Sequence, residues 1–320
     1  MGKKSAWPRR GFSESLSPVF SRFDPAAASP VVLGPPVPAG RKFSAPEFGD
    51  ELSCHGRKYY LGKELERAHF GAVFECSDDW GNELLAKLLR PRRRAYETVR
   101  ELWLRELQNL TQLPHPHLLH VFDAFESRDA IYLILERCSF SLENLLHWGM
   151  SQREAWLKPL ARGLLQAIDF IHSAGRVHQT IHPGNIYTRH VDGERRGPNP
   201  AISFKLGDLE MSRLQPDHRV LSTMIKPWMV PPHFLNPGEF GNAGRGVDIY
   251  QAGLVFLSLL EGCIPCFTPD EIQGGRPAEM AEALASPLAP AIAKALRPHT
   301  KDRTSSAREF WEDINNCCLE

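Results

Sequence analysis

From Tyr59 onward the hydrophobic positions form short alternating runs, and from Ser141 onward they form helical stripes. HFGAVFEC (69–76) and NELLAKLL (82–89) predict two strands, because apolar side chains that alternate along the chain suit a sheet with one buried face. The turn-prone Ser77-Asp78-Asp79-Trp80-Gly81 joins them. Over 95–113, Val99, Leu102, Trp103, Leu107 and Leu110 form a helical stripe, which Pro114 and Pro116 close. Two more strand-like runs follow, HLLHVFDAF (117–125) and AIYLILE (130–136). Helical patterns then take over: SLENLLHWG (141–149), WLKPLARGLLQAIDFIHSAG (156–175) with Gly175 as its stop, and VDIYQAGLVFLSLLEG (247–262). PAEMAEALA (277–285), APAIAKAL (289–296) and SAREFWEDI (306–314) continue them. Between the second and third helices lie a short strand, Phe204-Lys205-Leu206, and a long irregular segment. A strand-rich first third and a helix-rich remainder make the fold class α+β, in two lobes. Residues 1–52, with runs such as PAAASPVVLGPPVPAG, show neither period and predict a disordered tail or linker.

Composition narrows the function classes. Lys plus Arg and Asp plus Glu both number 38, so no global field recruits nucleic acid or an anionic membrane. No uninterrupted apolar window is long enough for a transmembrane helix. MGKKSAWPRR lacks the apolar core of a secretory signal, and Ala6 stands where myristoylation after Gly2 calls for Ser or Thr. Seven scattered cysteines, an odd number, fit a reducing cytoplasm, the expected localisation. Cys263-Ile264-Pro265-Cys266 has redox or zinc spacing but no second pair nearby, and is taken as two structural thiols. RPRRR (90–94) is taken as a solvated loop.

The candidate chemistry lies in a few separated motifs: LLAK ending at Lys87, RELQNLTQLPHPHL (105–118), VHQTIHPGNIY (177–187), KLGDLEMSR (205–213), the helix holding Asp248, and KDRTSSAREF (301–310). In this order and spacing they resemble the protein kinase family across roughly 59–315. The resemblance implies a small β-rich N-lobe (53–138) and a larger helical C-lobe (139–320), with ATP and Mg²⁺ as cofactors and a protein as partner or substrate. It implies that Lys87 holds the nucleotide's phosphates, that Glu106 is its ion-pair partner, and that Asn185 and Asp208 hold the metal. By the same resemblance Gly71, Val73, Leu85, Glu136 and Cys138 line the nucleotide site, and His178 is a packed core histidine. Asp248 matches a buried aspartate and Arg303 a late arginine.

The departures concern chemistry more than architecture. Thr180 stands where the family has its catalytic Asp, and His182 where it has a phosphate-contacting Lys. A general base of this kind contributes on the order of 10²–10⁴-fold; Thr180 is a poor base, and His182, able to titrate near neutrality, is a candidate substitute. The family's glycine-rich loop maps onto Leu65-Glu66-Arg67-Ala68-His69-Phe70-Gly71-Ala72-Val73, where only the last glycine survives. A carboxylate at Glu66 about 6 Å from a phosphate costs a few kcal/mol at intermediate dielectric, which Arg67 offsets in part. Leu85 replaces the usual Ala against adenine and narrows the pocket. Leu209-Glu210 follow Asp208 in place of Phe-Gly, and Pro231-Pro232-His233 leave Arg303 without the family's glutamate. The pattern predicts a pseudokinase that binds nucleotide weakly and acts as a regulatory or scaffolding module. A divergent but active Ser/Thr kinase is the alternative.

Overall fold

Glu51–Cys54 (β1), Arg57–Ala68 (β2), Gly71–Asp78 (β3), Glu83–Leu89 (β4), Val121–Ser127 (β5) and Ala130–Glu136 (β6) form one antiparallel sheet in the order β1-β2-β3-β4-β6-β5. The computed structural model describes residues 46–54, 56–68, 71–89, 107, 114–128, 130–151, 153–191, 201–209, 213–214, 227–242 and 244–317. All of these fall in one unit, Gly34–Glu320. The run 90–94, residues 1–45, Glu106 and the helix predicted over 95–113, apart from the buried Leu107, lie outside the described residues.

Alternation decides which way each strand faces. Ala72, Phe74 and Cys76 of β3, Leu84, Ala86 and Leu88 of β4, and Tyr132 and Ile134 of β6 share one apolar core with Leu52, Tyr59, Leu61 and Phe125. Phe125 stacks between Tyr59 and Tyr132, each ring centroid 5.7 Å away. Such pairs add about 0.5–1.5 kcal/mol beyond their buried area. The intervening residues, Val73, Leu85, Lys87, Leu133 and Leu135, lie on the other face; Val73 is opposite Lys87, and Leu85 opposite Leu135.

Several strands differ from the sequence reading: β2 has no predicted counterpart, and β3 spans Gly71–Asp78 rather than 69–76. Order begins before Tyr59: Leu52 of β1 pairs with Tyr59 and is fully buried, so a tail ending at 52 would cut through a strand. With one fully buried side chain and Cys54 packed partly against the core, β1 is too short to leave a periodic trace. β5 starts at Val121 rather than 117, because His117–Leu119 bond to the second lobe instead: Leu206 N–H donates to His117 O (2.8 Å) and Leu119 N–H to Leu206 O (2.9 Å).

Beyond the connection at 137–140 the chain turns helical. Leu142–His147 (α1) opens with a capping box at Ser141, and Arg153–Ser173 (α2) buries Leu157, Leu160, Leu164, Leu165, Ile168 and Ile171 along one face. Gly175, at φ +72°, lets the chain leave α2, as the sequence predicts. Short strands Arg176–Val177 (β7) and Arg213–Leu214 (β10) pair, and Ile186–Val191 (β8) pairs with Ala201–Leu206 (β9), which begins three residues before the predicted Phe204–Leu206. In the segment predicted to be irregular, Pro232–Leu235 (α3) and Pro237–Phe240 (α4) each begin with proline, which has no N–H to leave unpaired. Gly246–Glu261 (α5) is buried along most of its length. Pro269–Gln273 (α6), Arg276–Glu282 (α7), Ala289–Ala295 (α8) and Ala307–Asn316 (α9) complete the lobe. Among the described residues no helix is long and apolar enough to cross a membrane.

Candidate active site

Lys87 projects from the centre of β4 on the face away from the sheet's core, where its Nζ donates to Asp208 Oδ1 at 2.8 Å. Burial alone would raise the Asp208 carboxyl. The Lys87 charge and hydrogen bond outweigh it, and with smaller contributions from His182 and His178 they hold the group below the ordinary carboxylate range. Asp208 itself has φ +60°, a left-handed conformation that aspartate tolerates better than most residues. The segment before it is tied down twice: Gly207 N–H donates to Asn185 O (2.9 Å) and His178 Nε2 to Gly207 O (3.0 Å). Leu209 is fully buried, as expected of an apolar packing residue, whereas Glu210 lies outside the described residues.

The loop 178–185 hangs from α5. Asp248, fully buried, accepts from His178 N–H (2.8 Å), Gln179 N–H (2.7 Å) and His172 Nε2 (2.8 Å). One turn further on, Gln251 accepts from Ile181 N–H (2.9 Å) and donates to Gln179 O (2.8 Å). Gln179 is held at φ +72°, where a non-glycine residue is strained. Because His178 Nε2 donates to Gly207, its Nδ1 is the acceptor facing Thr180, whose N–H lies at 3.3 Å and Oγ1 at 3.2 Å. Thr180 is buried, its hydroxyl directed at a neighbouring ring nitrogen.

His182 has its Nδ1 occupied as acceptor of Gly184 N–H (3.0 Å), capping the 3₁₀ turn Pro183–Asn185. A Cβ on Gly184 would meet a Glu143 carboxylate oxygen and the His182 ring, so the turn is closely packed on this side. Asn185 donates its Nδ2 to Thr180 O at 2.9 Å, leaving Oδ1 as its remaining acceptor. The donor set is therefore an oxygen of Asn185 and the carboxylate of Asp208, beside the Lys87 ammonium. Hard oxygen donors of this kind fit Mg²⁺, and the ammonium fits a phosphate.

The remaining predicted residues are less uniform. Gly71 is demanded by the sheet: a Cβ there would run into the Leu88 carbonyl on β4. Val73 and Leu85 share a face with Lys87. Glu136 uses its buried side chain structurally, pairing with Lys205 Nζ (2.7 Å) and Arg189 Nη1 (3.4 Å) and accepting from His120 N–H (2.8 Å). Cys138 is half-buried; burial, with the Glu136 charge, pushes its thiol up to about 12, so it stays protonated at neutral pH. Glu106 lies outside the described residues.

Lys205, His172 and Gln251 were missed from the sequence. A lysine inside the apolar strand Phe204-Lys205-Leu206 was the available clue to a buried ion pair. Gln251 left none, since its partners are 70 and 72 residues away. Arg303, left without a glutamate, instead donates to the carbonyls of Arg297 (2.7 and 2.9 Å), Pro298 (2.9 Å) and Gly246 (3.1 Å), and lies 4.8 Å over the Tyr250 ring. His233 Nδ1 is 3.4 Å from Arg303 Nη1; burial, then the Arg303 charge, pull this imidazole down to about 3, so it is neutral.

The protein kinase domain profile matches residues 59–318. Among similar curated proteins are CDPK-related kinase 5 of Arabidopsis thaliana, 29% identical over 67% of this chain and 35% of that protein, and calcium-dependent protein kinase 24 of the same plant, 27% identical over 82% and 43%. Serine/threonine-protein kinase PLK2 of Mus musculus is 26% identical over 78% of this chain and 36% of its own length. The chain thus spans well under half the length of these relatives, which are distant Ser/Thr kinases. With β-sheet lobe, helical lobe and motif order in agreement, the chain belongs to the protein kinase domain family.

Proposed function

We propose that this kinase domain is a pseudokinase: it binds ATP with Mg²⁺ weakly and acts through contacts with a protein partner rather than by phosphotransfer. The observation that carries this reading is Thr180 at the position of the catalytic carboxylate, its hydroxyl 3.2 Å from His178 Nδ1. A neutral hydroxyl does not take a substrate proton at physiological pH, and the nearby His182 has one ring nitrogen occupied by Gly184 N–H. ATP, when bound, supplies a transferable γ-phosphoryl group, and Mg²⁺ the charge that screens it. Lys87 would meet the phosphates, while Asn185 Oδ1 and Asp208 would hold the metal.

Thermal unfolding with ATP, with and without Mg²⁺, tests the nucleotide half of the reading. Ligand at 100 times its Kd adds about 2.7 kcal/mol of stability. We expect stabilisation by ATP with Mg²⁺ and less with EDTA; no shift in either condition would refute nucleotide binding. The second reading, a divergent active Ser/Thr kinase, draws on the loop 178–185, which keeps its backbone anchors to Asp248 and Gln251.

A further inference from the structure

We infer that Gln251 is a positioning residue for the metal half of the nucleotide site, an inference that rests on the reading of Asn185 and Asp208 as the metal-holding pair. Gln251 is fully buried on α5, three residues after Asp248, a spacing that puts both side chains on one helix face. Its two partners fix its orientation. The amide oxygen can only accept from Ile181 N–H, and the amide nitrogen can only donate to Gln179 O. These two groups lie immediately before and after Thr180, so the side chain brackets that residue.

The consequence runs along the backbone. Gln179 occupies a strained left-handed conformation, and α5 holds it from both sides: Asp248 on its N–H, Gln251 on its carbonyl. With residues 179 and 181 both pinned, the Thr180 carbonyl has a fixed direction. That carbonyl accepts Asn185 Nδ2 at 2.9 Å and so decides which way the Asn185 amide faces. Without Gln251, the Gln179 carbonyl and the Ile181 N–H lose their buried partner, Gln179 can relax, and the Thr180 carbonyl no longer holds Asn185 in one orientation. Asp248 cannot substitute, because its carboxylate accepts hydrogen bonds and cannot donate to Gln179 O.

The test is ATP affinity of the full chain by calorimetry, measured in Mg²⁺ and in EDTA, for wild type, Gln251→Ala and the length-matched Gln251→Met. A purely structural role would lower stability and affect both conditions alike. A positioning role removes the gain due to Mg²⁺. We expect a gain of tenfold or more in wild type to fall below threefold in both variants, with affinity in EDTA changed less than twofold. Variants that keep the wild-type gain overturn the assignment, as does failure of both to fold, which would make Gln251 only a core group. A wild type that binds ATP without any Mg²⁺ gain overturns the metal-site reading itself, and the inference with it; that outcome is recognised without any variant.

Discussion

Two parts of the candidate site differ in what their sequences keep: loop 178–185 with its neighbours in the helical lobe, the floor, and the β2–β3 segment of the sheet, the roof. On the floor, loop 178–185 and Gly207, the residue before Asp208, are tied by Asp248, Gln251, His178 and Asn185 into one connected set of hydrogen bonds. On the roof, the β2–β3 segment retains a single glycine of the family's loop, and that glycine is explained by the Leu88 carbonyl beside it. Backbone scaffolding has survived where it also holds the second lobe together. Where the resemblance places the loop's other two glycines, this sequence has Glu66 and Ala68. On the proposed reading, kinase architecture and kinase chemistry are separable demands, and this chain meets the first more fully than the second.

The most damaging way to break the comparison is to attack the floor. Asp248→Ala leaves His178 N–H, Gln179 N–H and His172 Nε2 without their buried acceptor, and should cost about 3–5 kcal/mol in denaturant unfolding. A loss below 1 kcal/mol would mean that the loop does not depend on α5. On the roof, Gly71→Ala forces β3 from β4 at one backbone contact and should cost about 1–3 kcal/mol. An unchanged midpoint would show that Gly71 is not there for packing.

A third change probes a position outside the candidate site. His233 stands where the family has a glutamate, and its folded-state pKa is depressed from 6.5 to about 3. As pH falls through 6.5 the unfolded chain takes up a proton that the folded chain refuses. Stability should therefore be full above 6.5 and decline down to about 3, with a slope of up to about 1.4 kcal/mol per pH unit. His233→Gln should flatten this limb of a chemical-denaturation pH series; an unchanged slope would assign the acid loss to other groups.

These residues also show what was legible in the sequence. Alternation predicted β3 and β4, and the resemblance of the separated motifs pointed to Lys87, Asp208, Asn185 and Asp248; the face on which Lys87 lies came only from the sheet's register. What escaped was held together by partners far apart in the chain. Glu136 meets Lys205 across 69 positions of sequence, and Gln251 bonds loop backbone groups that any residue type carries. Neither leaves a local period. β1 escaped for the opposite reason, offering one buried leucine and too little length for a pattern.

On the proposed reading, the grips for nucleotide and metal persist while the base is gone. The most direct test is transfer of labelled γ-phosphate from ATP·Mg²⁺ by the purified chain, to itself and to a generic protein substrate, with Lys87→Ala in parallel. No incorporation above the Lys87→Ala background is expected. Incorporation that disappears with Lys87→Ala would contradict that reading and establish the chain as an active kinase.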